Sequence, residues 1–159
     1  MFPLFGGSDA KIGTTTNDNA AAGSVGEFVT ATVATASAVS LTTGTAANVT
    51  SISLTAGDWD VSWVGDFKPA ATTSVTSLKS SISLTTATLN TQAGGSGIGT
   101  EALSLFNTAA NVLGADFSLL GSPVRCSFSS TQTVYLVASA AFTVSTMGVY
   151  GTIRARRIR

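Results

Sequence analysis

Two groups of charged residues stand out in a sequence that otherwise uses little charge. Three aspartates, Asp58, Asp60 and Asp66, lie in GDWDVSWVGDF, and four arginines lie within the last six residues, RARRIR. Closely spaced carboxylates can bind a metal ion or exchange protons, and clustered arginines can bind phosphate or carboxylate groups. Either group could therefore form a catalytic, metal-binding or anion-binding site.

The sequence argues against a catalytic or metal site. The chain has no histidine, so it lacks the most common general base and zinc ligand. Asp58 and Asp60 share one face of a strand without a neighbouring acid, base or nucleophile, and the three aspartates lack EF-hand spacing. The glycine-rich GGSGIG at 94–99 matches no phosphate-loop pattern and predicts a hairpin loop. We expect no enzyme activity, no catalytic residue, no metal and no cofactor.

The composition favours a single all-β domain. The chain has 159 residues, of which 44% are hydrophobic and 10% are charged. Threonine and serine supply most of the polar surface, and β-branched threonine suits a pleated, half-buried strand. A soluble chain with so little charge is expected to cover part of its apolar surface by assembling with other copies.

Alternating apolar residues predict about eight or nine strands between residues 24 and 159. We interpret them as one antiparallel β-sandwich of the jelly-roll type. One segment, TEALSLFNTAANVLG at 100–114, could also hold a helical turn. The apolar residues assigned to inward faces are Val25, Val29, Ala31 and Val33; Trp59, Val61, Trp63, Gly65 and Phe67; Val124, Cys126 and Phe128; and Val134, Leu136, Ala138, Ala140 and Phe142.

Residues 1–23 form an irregular N-terminal arm in this interpretation. They show no period-two pattern and begin with the apolar cluster Phe2, Leu4 and Phe5 around Pro3. Apolar side chains on a leader without regular structure are typical of an attachment device. We therefore expect these three residues to contact another protein.

The arginine-rich C-terminus continues a strand. Val149, Ile153 and Ala155 fall on one face, and Arg154 and Arg156 fall on the other. Without the four terminal arginines the chain has 4 basic and 8 acidic residues, a body that would repel a nucleic-acid backbone. We expect Arg154 and Arg156 to meet carboxylates at a subunit interface. The expected partners, from the same or a neighbouring chain, are Asp58, Asp60 and Asp66; plain solvation of the arginines is the alternative.

Three stretches of the sequence resemble a family of short tailed-bacteriophage virion proteins of the head decoration or tail fibre type. They are TNDNAAAGSVGEFV, LTAGDWDVS and TVYLVASAAFTVSTMGVYGTIRARRIR. The AGDWDVSWVGDF stretch is also similar to a strand of tumour necrosis factor-like jelly rolls, which are trimers. These resemblances imply a virion structural protein that forms a homotrimer.

The expected function is therefore that of a trimeric capsid decoration protein at the virion surface. Its partners would be other copies of the chain and the major capsid protein or another virion protein, with no role for a membrane or nucleic acid. The alternative is a receptor-binding or structural head domain of a tail fibre, in which loops 93–101 or 107–116 would contact the host receptor. Only about 23 residues precede the first strand, which favours the decoration protein because tail fibres usually carry a long shaft.

Overall fold

The fold is nearly all β in the computed structural model, which describes residues 16–90, 98 and 103–159. These residues form nine strands and a short 3-10 helix at Thr35–Ser37. The strands are β1 (Phe28–Val33), β2 (Val39–Leu41), β3 (Ala47–Leu54), β4 (Gly57–Pro69), β5 (Ser74–Ser83), β6 (Leu103–Val112), β7 (Phe117–Phe128), β8 (Gln132–Thr143) and β9 (Met147–Arg157).

Two antiparallel sheets pack face to face. Sheet 1 has the order β1-β9-β4-β7, with β2 also pairing with β9, and sheet 2 has the order β3-β8-β5-β6. The pairing is nested, because β2 pairs with β9, β3 with β8, β4 with β7 and β5 with β6. The chain is thus one long hairpin wrapped into two sheets, which is the jelly-roll topology. The predicted antiparallel sandwich is confirmed.

The core lies between the sheets and follows the period-two pattern. Trp59, Trp63 and Phe67 point inward from β4 and are at most 1% exposed. The Trp59 indole N–H donates to the carbonyl of Thr55 at 3.0 Å, and that of Trp63 donates to Ser80 Oγ at 3.1 Å. Both buried donors are therefore satisfied, and the aromatic residues of GDWDVSWVGDF are core residues as expected.

A glycine on β9 sets how closely β9 and β4 pack. Gly151 has φ of +147°, and a Cβ at this position would lie 2.1 Å from the Val64 carbonyl oxygen. It pairs with Gly65 of β4. Neither the backbone angle nor the space would suit a larger residue. This close pairing holds β9 in the middle of sheet 1.

The structure corrects three details of the sequence interpretation. The described part of segment 100–114 forms strand β6 up to Val112, because its backbone pairs with β5, so the helical turn is wrong there. For the same reason much of segment 107–116 is strand and not an exposed loop. Val25 precedes β1 and is 44% exposed, so it does not share the inward face of Val29.

The segment before β1 is tied to the sandwich. The Asn19 side chain donates to the carbonyl of Phe28 and accepts from its N–H, both at 2.8 Å. The N–H of Gly26 donates to the carbonyl of Arg157 at 2.9 Å. The chain therefore reaches β1 at the end of sheet 1 where β9 finishes. Phe2, Leu4 and Phe5 of the predicted arm lie outside the described residues.

Candidate functional site

The outer face of sheet 1 carries the charged residues that the sequence singled out. On β9, Val149, Ile153 and Ala155 are buried, whereas Arg154 and Arg156 are exposed. Strand pairing sets Arg156 beside Phe28 of β1 on one side and beside Asp60 of β4 on the other. The predicted terminal strand is confirmed, and its arginines occupy one end of the outer face of this five-stranded sheet.

Asp58 is buried beneath two arginines of its own chain. It is 3% exposed, and its Oδ2 accepts from Arg125 Nη2 at 2.8 Å and from Arg159 Nε. The hydrogen bond from Arg125 holds the pKa of this carboxyl well below its usual range, helped by Ser127 and Arg159. Asp58 therefore remains ionised and anchors two exposed guanidinium groups, and neither belongs to the predicted pair Arg154 and Arg156.

Arg157 is a buried residue that sequence reasoning missed. It is 5% exposed and its Nε lies 3.0 Å from a carboxylate oxygen of Glu27. The two terminal nitrogens donate to the Ala56 carbonyl, at 2.8 Å, and to the Thr55 hydroxyl. Its guanidinium carbon lies 4.3 Å from the centroid of a Trp59 ring. All three side-chain nitrogens have partners, so Arg157 ties β9 to β1 and to the turn before β4.

The carboxylate opposite Arg157 is held in its ionised form. Glu27 Oε2 accepts from the Gly23 N–H at 2.8 Å. That hydrogen bond, together with the hydrogen bond and charge of Arg157, lowers the pKa of Glu27, while burial works in the opposite direction. Together Arg157 and Glu27 form what we name the clasp, which joins the start of β1 to the end of β9.

A groove of about 320 Å³ lies on the same outer face, beside the clasp. Arg154 Nε donates to Ser62 Oγ at 3.1 Å, and this bond leaves the terminal amino groups of Arg154 available to another molecule. Phe28 is 44% exposed and contributes an apolar wall. The groove is lined by Phe28, Asp60, Ser62, Pro123, Arg154, Ala155 and Arg156. We name this part of the face the basic end.

The opposite end of the outer face carries Asp66 and Asp116, and we name it the acidic end. Asp66 is in register with Tyr150 of β9 and accepts from the hydroxyl of Ser118, while Asp116 accepts from the hydroxyl of Tyr150 at 2.8 Å. Thr35 lowers the pKa of Tyr150, but the hydrogen bond to Asp116, burial and the charges of Asp116 and Asp66 raise it on balance. Both donors to these carboxylates are neutral, so no ion pair of the described residues cancels their negative charge.

An apolar strip separates the two ends. Leu120 of β7 is 68% exposed, and it lies in register with Val64 of β4, which is half-buried. Val64 is paired in turn with Thr152 of β9. A large exposed leucine on an otherwise regular sheet face is typical of a surface that another molecule covers.

The predicted site residues are brought together only in part. Asp60 and Asp66 point to the outer face with Arg154 and Arg156, whereas Asp58 is already neutralised within the chain. Arg125 was not singled out in the sequence, and Arg157 was noted only as one of the four terminal arginines. Ion pairs with residues distant in sequence define the roles of both arginines. The only signal in the sequence was that Arg157 shares the inward side of its strand with Ile153 and Ala155.

The described part of the chain contains neither a grouped set of metal ligands nor a membrane-spanning helix. In residues 16–90, 98 and 103–159, no three histidine, cysteine, aspartate or glutamate side chains are grouped so that they could hold a metal ion. The same part of the chain contains no helix of the length and hydropathy needed to cross a membrane. Cys126 is buried in the core, as expected.

Comparison with known proteins adds no relative. No protein-family model, no curated protein and no solved structure matches the chain. The outer face of sheet 1 is therefore the feature of the molecule that bears most directly on function.

Proposed function

We propose that the chain is a structural protein of a bacteriophage virion that forms a homotrimer and decorates the capsid surface, where it stabilises the head. The observation that carries this proposal is the outer face of sheet 1, which combines the exposed Leu120 with charged groups at both ends. Such a face fits contact with another protein better than contact with water. The sequence resemblance to virion proteins and the jelly-roll topology support the same function.

The proposed subunit interface contains Arg154 and Arg156, together with Asp60 and Asp66 on the same face. Asp58 takes part indirectly, because it holds Arg125 and Arg159 in place at the basic end. Charged groups that become partly buried between subunits contribute more to association than charged groups that remain in water. Assembly through this face would also cover Leu120.

The proposed attachment arm contains Phe2, Leu4 and Phe5, and its partner is the major capsid protein or another virion protein. The segment from Asn19 to Gly26 is bonded to the ends of β1 and β9. An arm joined at this point would start beside the basic end of the domain. In this proposal the arm attaches the domain to the particle, and the outer face of sheet 1 joins the copies.

The location of the chain in an intact virion tests the proposal directly. Labelled protein or electron microscopy of particles should place its density on the icosahedral shell. The purified chain at micromolar concentration should have the mass of a trimer. Density at the tail tip would favour the receptor-binding alternative, and a stable monomer would contradict the proposed assembly.

A variant of the arm separates attachment from folding. Replacing Phe2, Leu4 and Phe5 with serine in the full chain should leave the trimer mass and the β-type circular dichroism unchanged. Binding to particles that lack the protein should be lost, because the apolar contact is removed. A matched control replaces Val144, an 81% exposed apolar residue elsewhere on the surface, with serine and should bind normally.

A further inference from the structure

The charges on the outer face of sheet 1 separate toward its two ends. Arg154 and Arg156 point outward at the basic end, and Asp66 and Asp116 lie at the acidic end. Asp60, in register with Arg156, precedes Asp66 on β4 by six residues, a span of about 20 Å at ~3.3 Å per residue. The apolar strip of Leu120 and Val64 lies between them.

No ion pair of the described residues neutralises either end. Among the described residues, the ion pairs have only Asp58 and Glu27 as their acids. The groove arginines and the two carboxylates of the acidic end take part in none of these pairs. Asp60 differs from these two carboxylates because arginines of its own chain lie beside it. Arg156 of β9 is in register with it on one side, and Arg125 of β7 is in register with it on the other.

Other charged groups reduce this separation without removing it. Lys68 is exposed two residues beyond Asp66 on the same side of β4, so it offsets one of the two negative charges at the acidic end. At the basic end, Asp60 offsets one of the two groove arginines. Each end therefore keeps a net charge, and the two signs are opposite.

A second copy of this chain can supply each end with groups of the opposite charge. Copies that place like ends together would bring two arginine pairs or two aspartate pairs into contact, which is unfavourable. Copies that place unlike ends together would pair the groove arginines with carboxylates and cover both apolar strips.

We propose that the basic groove of one copy receives Asp66 and Asp116 of a neighbouring copy, so that subunits join head to tail across the outer face of sheet 1. This inference rests on the proposed self-association and specifies its geometry. Head-to-tail contacts close into a ring when the rotation between copies allows it.

Charge reversal at each end tests the pairing. The variant R154E/R156E makes both ends acidic, and the variant D66R/D116R makes both ends basic. Each should raise the dissociation constant for self-association by about tenfold or more, because close charge pairs at interfaces become like-charge contacts. Combining all four substitutions in one chain restores opposite ends, so this variant should self-associate as the wild type does.

Controls keep the test independent of folding. Circular dichroism and thermal midpoints should match the wild type, and K79E, a charge reversal on sheet 2, should leave association unchanged. Because D66R/D116R also removes the hydrogen bonds to Ser118 and Tyr150, the milder D66N/D116N should weaken association to a smaller extent. Association by the fourfold variant would itself show that all four substitutions are compatible with folding.

The outcomes separate the inference from the proposed function. Loss of association in both double variants and recovery in the fourfold variant would support head-to-tail pairing. A trimer that is unchanged in every variant would overturn the pairing but leave the decoration function standing. Recovery in the fourfold variant with the mass of a dimer would support the pairing, as an antiparallel pair of faces, and would overturn the trimer.

Discussion

The inward and outward sides of β9 both carry arginine, but in opposite environments. Arg157 points inward, is 5% exposed and has a partner for each of its three side-chain nitrogens. Arg154 and Arg156 point outward, and the groove that they line is open to solvent. The inward arginine holds the domain together, and the outward pair is available to another molecule. Position on the strand, and not residue type, therefore decides which arginines stabilise and which can bind.

The largest expected loss of stability comes from replacing an inward apolar residue of β9. Replacing Ile153, which is fully buried, with alanine should lower the free energy of unfolding by about 2–5 kcal/mol because it leaves a cavity. Thr152→Ala, on the outward side of the same strand, is the matched control and should cost about 0.5 kcal/mol or less. Denaturant unfolding of both variants measures the difference, and equal losses would contradict the assignment of the two sides.

Breaking the clasp should have the next largest effect. Arg157→Gln removes the charged partner of Glu27 and leaves a nearly buried carboxylate without a counter-ion, which should cost about 2–4 kcal/mol. Arg157→Lys keeps the positive charge but cannot reproduce the separate hydrogen bonds of the three guanidinium nitrogens. The free energy of unfolding should therefore fall by an intermediate amount. Thermal and urea unfolding would measure both. A glutamine variant as stable as the wild type would show that the clasp does not hold the strand ends together.

Acid should weaken the fold through Asp58 and Glu27. Their pKa values are lowered in the folded chain, so the unfolded chain binds more protons as the pH falls through the ordinary carboxyl range. The stabilisation is present above that range and is lost progressively below about pH 4.5, the ordinary value for Glu27. Unfolding measured from pH 7 to pH 2 should show a smaller pH dependence in Asp58→Asn than in the wild type. Parallel curves for the two proteins would argue against the ion pairs of Asp58.

The outward arginines should contribute least to stability. Replacing Arg154 and Arg156 with glutamine should change the free energy of unfolding of the isolated subunit by about 0.5 kcal/mol or less, because exposed charges contribute little. The same double variant should weaken self-association measured by sedimentation. Similar losses of stability and association would mean that these residues support the subunit fold and do not form a separate contact.

Much of the fold could be predicted from the sequence because strands have a period of two. The alternation in GDWDVSWVGDF placed Trp59, Trp63 and Phe67 in the core, and the alternation near the C-terminus placed Ile153 and Arg154 on opposite sides of a strand. Both assignments are confirmed. The local pattern at β6 allowed a helical turn as well as a strand, and its pairing with β5 shows that it is a strand.

The candidate site was decided by tertiary structure. Sequence alone identified the exposed arginines and the aspartates of β4, because charge and the alternation of inward and outward side chains are local properties of a strand. It could not identify the clasp, since the partners of Arg157 lie 101 to 130 residues away. Nor could it show that Asp58 is neutralised by Arg125 of β7, which only the pairing of β4 with β7 brings alongside. A strand's own pattern sets which way each side chain points, but the neighbouring strands determine what each side chain meets.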